Sequence, residues 1–422
     1  MSAAVISPGF LRGSLCPPPS KSEAHRLLIG ACLTQGQSRV ENIALSDDIR
    51  ATIRGMEALG ASAEPKGTDF CLQGLGTPPA AAEINCMESG STLRFLIPIA
   101  AALGVSARFT GQGRLPLRPM ETYRELLPRH GVDVETAGGL PFTIRGALQP
   151  GLYSLPGNIS SQFITGLLFA LPLLKGDSRI QLTTPLESAG YVEMTLETLK
   201  QFGVTVHSAP GGWEIRGGQQ YMPGVFQTEP DWSQAAFFLA AGCMGGEIAL
   251  TGLRPASAQG DRAILEICRR FGGSLSWEEG KLCCGPGLLA GCVVDASQIP
   301  DLVPAIAALA AVSKGTTKIT GAARLRMKES DRLASMARGL SALGVCVREQ
   351  ADGLTIQGGP VSGGKVDGCG DHRIVMAFSV LATAAAGPVA IIGWESIRKS
   401  YPNFYEDFQK LGGRVYVDHS IG

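Results

Sequence analysis

The chain has 422 residues, of which 45% are hydrophobic and only 6% aromatic, a composition typical of an α/β protein packed with aliphatic side chains. Its 37 Lys and Arg residues balance 37 Asp and Glu residues, so the overall charge does not support nucleic acid or a membrane surface as a partner. A chain of this length is too long for one hydrophobic core, and two or three domains are expected.

The cysteines and histidines indicate the compartment and argue against a metal site. Eleven cysteines occur without a C-x-x-C pair, which indicates reduced thiols in a cytoplasmic protein. The five histidines show no spacing typical of metal ligands, so we expect neither a metal ion nor a cofactor.

The first fifteen residues predict a strand rather than a signal peptide. The stretch 374–394 has no charge and could span a bilayer, but Gly387-Pro388 divides it into a helix and a strand.

Glycines that end predicted helices recur about every 70 residues. This spacing indicates six copies of a unit of strand, helix, strand, helix and strand. The first helix of each copy is apolar on most sides, which predicts a buried helix. These helices are predicted at 27–33, 93–103, 163–174, 235–241, 303–312 and 374–386. The second helix is amphipathic, which predicts a helix on the outside. These helices are predicted at 48–59, 122–129, 192–202, 262–271, 332–343 and 404–411.

Six copies of this unit cannot share one core, so they are expected to form two similar domains of three copies each. The boundaries are predicted at two short loops, near 17–20 and 228–231. One domain would comprise 18–229, and the other would comprise 230–422 closed by the N-terminal strand in 1–17. A ligand is then expected in the cleft between the two domains.

Polar residues gather just before the first helix of each copy. Ser, Thr and Asp at such positions are ordinary N-caps, but three copies add cations, namely Lys21 with Arg26, Arg94 and Arg373. Because helix N-termini and basic side chains both favour anions, the pattern indicates a small, highly anionic ligand. Salt bridges on the surface are the alternative explanation.

The run Lys328-Glu329-Ser330-Asp331-Arg332 is predicted to open an amphipathic helix. Lys328 and Arg332 would then lie one turn apart on a shared face, while Glu329 points elsewhere. A carboxylate between cations titrates low, and in a closed site it can exchange a proton with a reacting carbon. A solvated turn of charged side chains is the alternative.

The order and spacing of these motifs over the full length resemble the enolpyruvyl transferases, in particular the branch that acts on shikimate 3-phosphate. The resemblance rests on residues 19–22 with Arg26, 90–94, 114–119, 160–162, Ser188 with Tyr191, Asp301, 328–332, 371–373 and Lys399. It implies an inside-out α/β barrel in each of two domains, with six repeats of a β-α-β-α-β-β unit. It also implies transfer of the enolpyruvyl group of phosphoenolpyruvate to the 5-hydroxyl of shikimate 3-phosphate, with release of phosphate.

The same resemblance implies a set of site residues by motif match. Shikimate 3-phosphate should contact Lys21, Ser22, Arg26, Ser160, Ser161, Gln162, Ser188, Asp301 and Lys328. Phosphoenolpyruvate should contact Lys21, Gly90, Arg118, Gln162, Arg332, Arg373 and Lys399. Asp301 resembles the base that faces the 5-hydroxyl, and Glu329, with Lys21, resembles the proton donor to the methylene carbon. We expect a cytoplasmic monomer that acts on these two small molecules.

Three positions depart from the pattern of the family. Glu88 stands where Asn is frequent, Trp232 where a small residue is usual, and Arg324 where Asn is common. We expect these three departures to affect the affinity for the substrates rather than the reaction. Sensitivity to the inhibitor glyphosate, a trait of the family, would depend on Gly90 and its neighbours.

Three alternatives remain open at this point. A UDP-N-acetylglucosamine enolpyruvyl transferase should carry a reactive cysteine in the loop 114–118, where this chain has none. A non-catalytic anion-binding repeat protein would gain nothing from Asp301 and Glu329 in its site. An RNA 3′-terminal phosphate cyclase-type enzyme would need a nucleotide site and a basic net charge.

Overall fold

The structure is a computed structural model, and it describes residues 2–420. The chain divides into two compact units. We call Pro19–Glu229 the continuous unit, and Met1–Pro18 with Pro230–Gly422 the split unit. Within the described residues, no helix combines the length and the apolar character that crossing a membrane requires.

Twelve α-helices form in residues 2–420, six in each unit, at the places where the sequence predicts alternating apolar and amphipathic helices. The continuous unit contains α1 (Lys21–Cys32), α2 (Asp47–Ala58), α3 (Gly90–Ala102), α4 (Glu121–Leu126), α5 (Ser161–Ala170) and α6 (Ala189–Gln201). The split unit contains α7 (Trp232–Cys243), α8 (Ile264–Phe271), α9 (Val303–Val312), α10 (Arg332–Ala342), α11 (His372–Ala382) and α12 (Phe404–Lys410).

The described residues also form 24 strands, numbered here along the chain. The first twelve are β1 (Ala3–Ser7), β2 (Arg12–Leu15), β3 (Gln37–Glu41), β4 (Ser62–Lys66), β5 (Asp69–Gln73), β6 (Ala81–Asn85), β7 (Ser106–Thr110), β8 (Val132–Glu135), β9 (Phe142–Gly146), β10 (Leu152–Leu155), β11 (Ser178–Leu182) and β12 (Val206–Ala209). The others are β13 (Gly212–Ile215), β14 (Val225–Gln227), β15 (Glu247–Leu250), β16 (Ser274–Glu278), β17 (Lys281–Gly285), β18 (Val293–Asp295), β19 (Gly315–Thr320), β20 (Cys346–Gln350), β21 (Gly353–Gly358), β22 (Gly364–Asp367), β23 (Val389–Ile392) and β24 (Arg414–Asp418).

These strands form six four-stranded sheets with one shared topology. In the order β6-β7-β9-β8, β6 and β7 are parallel and flank α3, while β9 is antiparallel to both β7 and β8. A parallel pair needs a crossover connection, and in four of the six sheets a buried helix joins the two parallel strands directly, namely α3, α5, α9 and α11. Each sheet with its two helices therefore has the β-α-β-α-β-β arrangement that the resemblance implied, although in three sheets one strand comes from a distant part of the chain.

Segments distant in sequence complete three of the six sheets. In the split unit, β1 pairs antiparallel with β23 and β24, and β2 pairs parallel with β15. In the continuous unit, β14 pairs parallel with β3. The N-terminal segment thus contributes two strands to the split unit.

Each unit buries its own hydrophobic core around its three apolar helices. Every residue of α7 is buried, and so is nearly all of α9. This follows from sequences that are apolar on all sides. Polar side chains at the helix starts cap the free N–H groups, since Ser20, Ser89 and Asp371 each accept a hydrogen bond from the first turn of α1, α3 and α11.

Candidate active site

The predicted site residues fall into two groups, each contained in one unit. Cluster 1, in the continuous unit, lies at the N-termini of α1, α3, α5 and α6 and in the loop before α4. It comprises Lys21, Ser22, Arg26, Gly90, Arg118, Ser160, Ser161, Gln162 and Ser188. Cluster 2, in the split unit, lies around the starts of α9, α10 and α11. It comprises Asp301, Lys328, Glu329, Arg332, Arg373 and Lys399.

Lys21 is the first residue of α1, and its ammonium group is held by a carboxylate of the next helix. Lys21 Nζ donates to Asp48 Oδ2 at 2.6 Å, and the two side chains are only 16% and 10% exposed. Ser20 caps the same helix by accepting a hydrogen bond from Glu23 N. The cap and the ion pair together give the Lys21 charge a defined position at the helix N-terminus.

Arg26 is buried one turn further along α1. Its guanidinium donates to Thr195 Oγ1 at 2.9 Å and to the carbonyl oxygens of Ser22 and Tyr191 at 2.6 and 2.9 Å. Burial lowers the pKa of Arg26 to about 10, so the group is still charged at neutral pH. In this structure Arg26 joins α1 to α6.

The N-termini of α3 and α5 meet through polar side chains. Arg94 Nη1 donates to Gln162 Oε1 at 2.7 Å, and Gln162 Nε2 donates to Ser91 Oγ at 3.0 Å. Burial and the nearby charge of Arg118 lower the pKa of Arg94 to about 9. Two largely buried guanidinium groups therefore lie beside the same helix ends, which favours binding of an anion there.

Gly90 is the first residue of α3 and lies close to the side chains of Arg118 and Gln162. A Cβ atom at Gly90 would lie 2.6 Å from Arg118 Nη1 and 3.2 Å from Gln162 Oε1. Glycine thus allows the Arg118 guanidinium to pack directly on the helix backbone. The structure brings Gly90, Arg118 and Gln162 together, as expected for residues assigned to one ligand.

The remaining members of cluster 1 are serines at helix starts. Ser160 caps α5 by accepting a hydrogen bond from Gln162 N at 3.3 Å, and Ser161 is the buried first residue of that helix. Ser188 precedes α6 in a left-handed conformation with φ of 55°. Their hydroxyl groups are thus held close to helix N-termini.

Arg332 is the centre of cluster 2 and contacts three carboxylates. Its side chain, 2% exposed, donates to Asp371 Oδ2 at 2.8 Å, Asp301 Oδ1 at 2.9 Å and Glu329 Oε2 at 2.6 Å. Burial alone would lower the pKa of Arg332, but the three carboxylates outweigh it and raise this pKa above its usual value. A buried charge of this kind is stable only because it is fully paired.

Asp301 lies among three cations. Arg332 Nη1 is 2.9 Å, Lys328 Nζ 3.5 Å and Arg373 Nη2 3.7 Å from its carboxylate oxygens. Burial raises the pKa of Asp301, but the charges of Lys328, Arg373 and Arg332 together hold it well below its ordinary value. Asp301 is therefore ionised at neutral pH.

Arg373, on α11, and Lys399 have further partners within the split unit. Arg373 donates to Ser233 Oγ at 2.9 Å and to the carbonyl oxygen of Asp301 at 3.1 Å. Lys399 Nζ donates to the carbonyl oxygen of Gly370 at 2.7 Å. Both cations therefore lie near the N-terminus of α11.

One local prediction is wrong. The helix α10 begins at Arg332 with Asp331 as its N-cap, and Lys328 lies before it in an extended conformation. Lys328 and Arg332 therefore do not share a helix face, and Glu329 does not point away but contacts Arg332. The Asp331 carboxylate accepts a hydrogen bond from Ala334 N, which fixes the start of the helix at Arg332 rather than at Lys328.

Several partners that hold these side chains were not among the predicted site residues. They are Asp48, Ser91, Ser233, Ser330 and Asp371. Asp371 is the most buried of them, with no exposed surface, and it also accepts a hydrogen bond from Ser330 Oγ at 3.1 Å. Its position as a helix cap directly before Arg373 was the available signal. The cap, a hydrogen bond from Arg373 N at 3.0 Å, is only one of the contacts of this carboxylate, which also binds Ser330 and Arg332.

Two of the positions that depart from the family pattern have structural roles. Trp232 is fully buried as the first residue of α7, with its ring centroid 6.5 Å from that of Trp277. Arg324 donates to the carbonyl oxygen of Ser297 at 2.6 Å. Both stabilise the split unit locally.

Comparison with known proteins identifies the family. The sequence profile described as EPSP synthase (3-phosphoshikimate 1-carboxyvinyltransferase) matches residues 6–408. The chain belongs to the EPSP synthase family. The 3-phosphoshikimate 1-carboxyvinyltransferase of Clostridium novyi is 44% identical over 423 residues, covering 97% of each chain. That of Clostridium acetobutylicum is also 44% identical, over the full length of both chains.

Solved structures of related proteins share the fold. A structure of EPSP synthase from Acinetobacter baumannii has a TM-score of 0.83 at 28% identity, covering 99% of this chain and all of the other. The enolpyruvyl transferase NikO of Streptomyces tendae has a TM-score of 0.79 at 19% identity, covering 99% of each chain. The second likeness concerns the fold alone.

Proposed function

We propose that the chain transfers the enolpyruvyl group of phosphoenolpyruvate to the 5-hydroxyl of shikimate 3-phosphate, giving 5-enolpyruvylshikimate 3-phosphate and phosphate. Membership of the EPSP synthase family supports this reaction. The observation that carries the assignment of roles is Arg332, which contacts Asp301 and Glu329 together. Two carboxylates on one buried cation provide the pair of proton-transferring groups that the reaction requires.

Both substrates carry a phosphate and a carboxylate, so they repel each other and need many cations. Shikimate 3-phosphate is assigned to Lys21, Ser22, Arg26, Ser160, Ser161, Gln162, Ser188, Asp301 and Lys328. Phosphoenolpyruvate is assigned to Lys21, Gly90, Arg118, Gln162, Arg332, Arg373 and Lys399. Arginine suits these groups because its planar fork binds a carboxylate or phosphate through two parallel hydrogen bonds.

The proposed reaction moves one proton in each direction between Glu329 and the methylene carbon. Protonation of that carbon leaves positive charge on its neighbour, which the 5-hydroxyl oxygen attacks while Asp301 takes the hydroxyl proton. The tetrahedral adduct then expels phosphate, which leaves with the proton that Asp301 had taken, and Glu329 removes a proton from the methyl group to restore the double bond. Lys21 is proposed to assist Glu329 in this proton transfer. All atoms balance without an oxidant or a cofactor.

Asp301 must become more basic than it is in this structure. Its pKa is held low by Lys328, Arg373 and Arg332, and a general base works best when its pKa is close to the working pH. The substrate anions are proposed to draw these same cations toward themselves. Each cation that turns to a substrate weakens the stabilisation of ionised Asp301 and so raises its pKa.

The setting of the reaction is also a proposal. We infer that the chain works as a monomer in the cytoplasm. Support for this compartment comes from the eleven cysteines, all of which are free thiols. The proposal further requires that the substrates engage groups from cluster 1 and cluster 2 in one catalytic cycle.

An assay of phosphate release tests the proposal directly. Purified protein is incubated with phosphoenolpyruvate and either shikimate 3-phosphate or UDP-N-acetylglucosamine, and the Asp301→Ala variant is assayed in parallel. Phosphate release only with shikimate 3-phosphate is expected, with a much lower kcat in the variant and little change in substrate binding. Release with the UDP sugar alone would instead favour the related transferase. An unchanged kcat in Asp301→Ala would remove it as the base.

A further inference from the structure

Four buried side chains form a continuous hydrogen-bonded chain through the continuous unit. His25 Nδ1 lies 2.7 Å from Thr52 Oγ1, Thr52 Oγ1 lies 2.7 Å from Thr92 Oγ1, and Thr92 Oγ1 donates to Ser89 Oγ at 2.7 Å. The exposed fractions of the four residues are at most 1%. The chain starts on α1, passes through α2 and ends at the cap of α3.

The direction of the donors along this chain follows from counting hydrogens. Thr92 directs its one hydroxyl hydrogen toward Ser89 Oγ, with the carbonyl oxygen of Asp48 as the other acceptor within reach at 3.5 Å. In either case Thr92 has no hydrogen left for Thr52, so Thr52 must donate to Thr92. A hydroxyl has one hydrogen, so Thr52 in turn can only accept from His25. The imidazole is therefore protonated on Nδ1.

His25 is suited to donate a hydrogen bond from Nδ1 because its imidazole remains neutral. Burial, reinforced by the charges of Lys21 and Arg26, lowers the pKa of His25 well below 6.5. A neutral imidazole carries one N–H, and Nδ1 uses it. Nε2, which is buried without a hydrogen-bond partner, then has only a lone pair to leave unsatisfied.

The last member of the chain lies beside the residue assigned to phosphoenolpyruvate. Ser89 Oγ accepts from both the backbone N and the hydroxyl of Thr92, at 3.1 and 2.7 Å. Gly90 and Ser91 follow as the first helical residues of α3, and their N–H groups have no partner within the helix. The orientation of these N–H groups depends on how Ser89 caps the helix.

We infer that His25 is a positioning residue for anion binding at the N-terminus of α3. Its Nδ1–H acts through the hydroxyls of Thr52 and Thr92 to fix the Ser89 cap beside Gly90. The inference rests on the proposed function, because the anion concerned is phosphoenolpyruvate. Close packing supports it, since a Cβ at Gly55 of α2 would lie 2.4 Å from Leu96 Cδ1 of α3. The two helices that carry the hydroxyls of Thr52 and Thr92 are therefore in direct contact.

The test compares variants that remove a link with variants that keep it. Thr52→Val removes the hydroxyl at nearly constant volume, and Thr52→Ser keeps it. His25→Phe keeps a ring without a donor, and His25→Asn keeps an amide donor near the position of Nδ1. Thr198→Val is the matched control, because Thr198 is 1% exposed and donates only to a carbonyl of its own helix, that of Met194 at 2.8 Å.

Steady-state kinetics and thermal unfolding are measured for all five variants. We expect KM for phosphoenolpyruvate to rise about fivefold to thirtyfold in Thr52→Val and His25→Phe, the effect of one lost buried hydrogen bond. KM for shikimate 3-phosphate and kcat should change by less than about twofold. Thr52→Ser and His25→Asn should restore most of the affinity, whereas Thr198→Val should lower Tm alone. An unchanged KM in Thr52→Val, or an equal rise in Thr198→Val, would overturn the inference.

Two further readouts separate this inference from the proposed function. Nitrogen-15 NMR of the wild-type protein should show a neutral His25 protonated on Nδ1, and protonation on Nε2 alone would contradict the hydrogen-bond chain. If the wild-type protein shows no turnover, the proposed function fails. Titration with inorganic phosphate then decides the inference, since Thr52→Val should bind phosphate at least about fivefold more weakly. Equal affinity would refute it.

Discussion

Replacing Gly90 by alanine should weaken the binding of phosphoenolpyruvate without weakening the fold. The new Cβ would lie 2.6 Å from Arg118 Nη1 and 3.4 Å from Arg94 Nη1. The backbone of Gly90 is helical, and alanine is favoured over glycine in a helix by about 0.5–1 kcal/mol. The perturbation therefore acts on the neighbouring guanidinium group rather than on the helix.

The size of the effect follows from the displacement of Arg118. To restore an ordinary contact of about 3.4 Å, the guanidinium must move by about 0.8 Å. A hydrogen bond of about 2.9 Å to a bound anion would then exceed about 3.5 Å and be lost. A hydrogen bond to a charged group contributes about 1.5–3 kcal/mol, which corresponds to a rise in KM of about tenfold to hundredfold.

Kinetics at saturating shikimate 3-phosphate measure this effect, with Tm measured on the same preparations. Gly76→Ala is the control, because a Cβ at Gly76 would meet no atom within 4 Å. The control should leave KM unchanged. An unchanged KM for phosphoenolpyruvate in Gly90→Ala would refute the reasoning from the Gly90–Arg118 contact.

Three further predictions follow from the charged pairs. Lys21→Met should reduce kcat by at least about a thousandfold. It should also lower the free energy of unfolding by about 1–3 kcal/mol, because it leaves the Asp48 carboxylate without its cation. Lys21→Arg, which keeps the charge, is the control. Asp371→Asn should lower the free energy of unfolding by about 3 kcal/mol, which is the lower end for breaking a buried pair, because Arg332 keeps its other carboxylates. Urea unfolding measures this loss, and a midpoint equal to that of the wild type would contradict the prediction. The folded pKa of Asp301 lies below its unfolded value, so its stabilisation is complete above about pH 4 and is lost as the pH falls toward the folded pKa. The Tm difference between wild type and Asp301→Asn should accordingly shrink below about pH 4, and a constant difference from pH 3 to 7 would contradict this.

Much of the fold could be predicted because it depends on local patterns. A buried helix such as α9 (Val303–Val312) is apolar on every side, and its period and its flanking residues are visible in the sequence. The exchange of strands was only partly visible. The pairing of β1 with β24 joins residues at opposite ends of the chain, and a short alternating strand does not specify its partner.

In the candidate site, too, the residues could be predicted from the sequence but their long-range contacts could not. Residue types and order indicated Lys21, Arg118, Asp301 and Arg332, because these motifs resemble those of a known family. The contacts that hold them could not be predicted, since the partners lie far apart in sequence and depend on packing. The hydrogen bond from Arg332 to Asp371 spans 39 positions. The helical turn predicted at 328–331 does not form, because Asp331 caps α10 at Arg332, and the sequence does not distinguish a capping Asp from a solvated helical one.

The most direct test of the central claim identifies the product and the proton that it acquires. Protein, phosphoenolpyruvate and shikimate 3-phosphate are combined in deuterium oxide and followed by phosphorus and proton NMR. The account predicts equal amounts of phosphate and of an enolpyruvyl ether on the 5-oxygen, with deuterium in its methylene group, and a Glu329→Gln variant that loses both. Formation of pyruvate and phosphate with shikimate 3-phosphate left unchanged would contradict it.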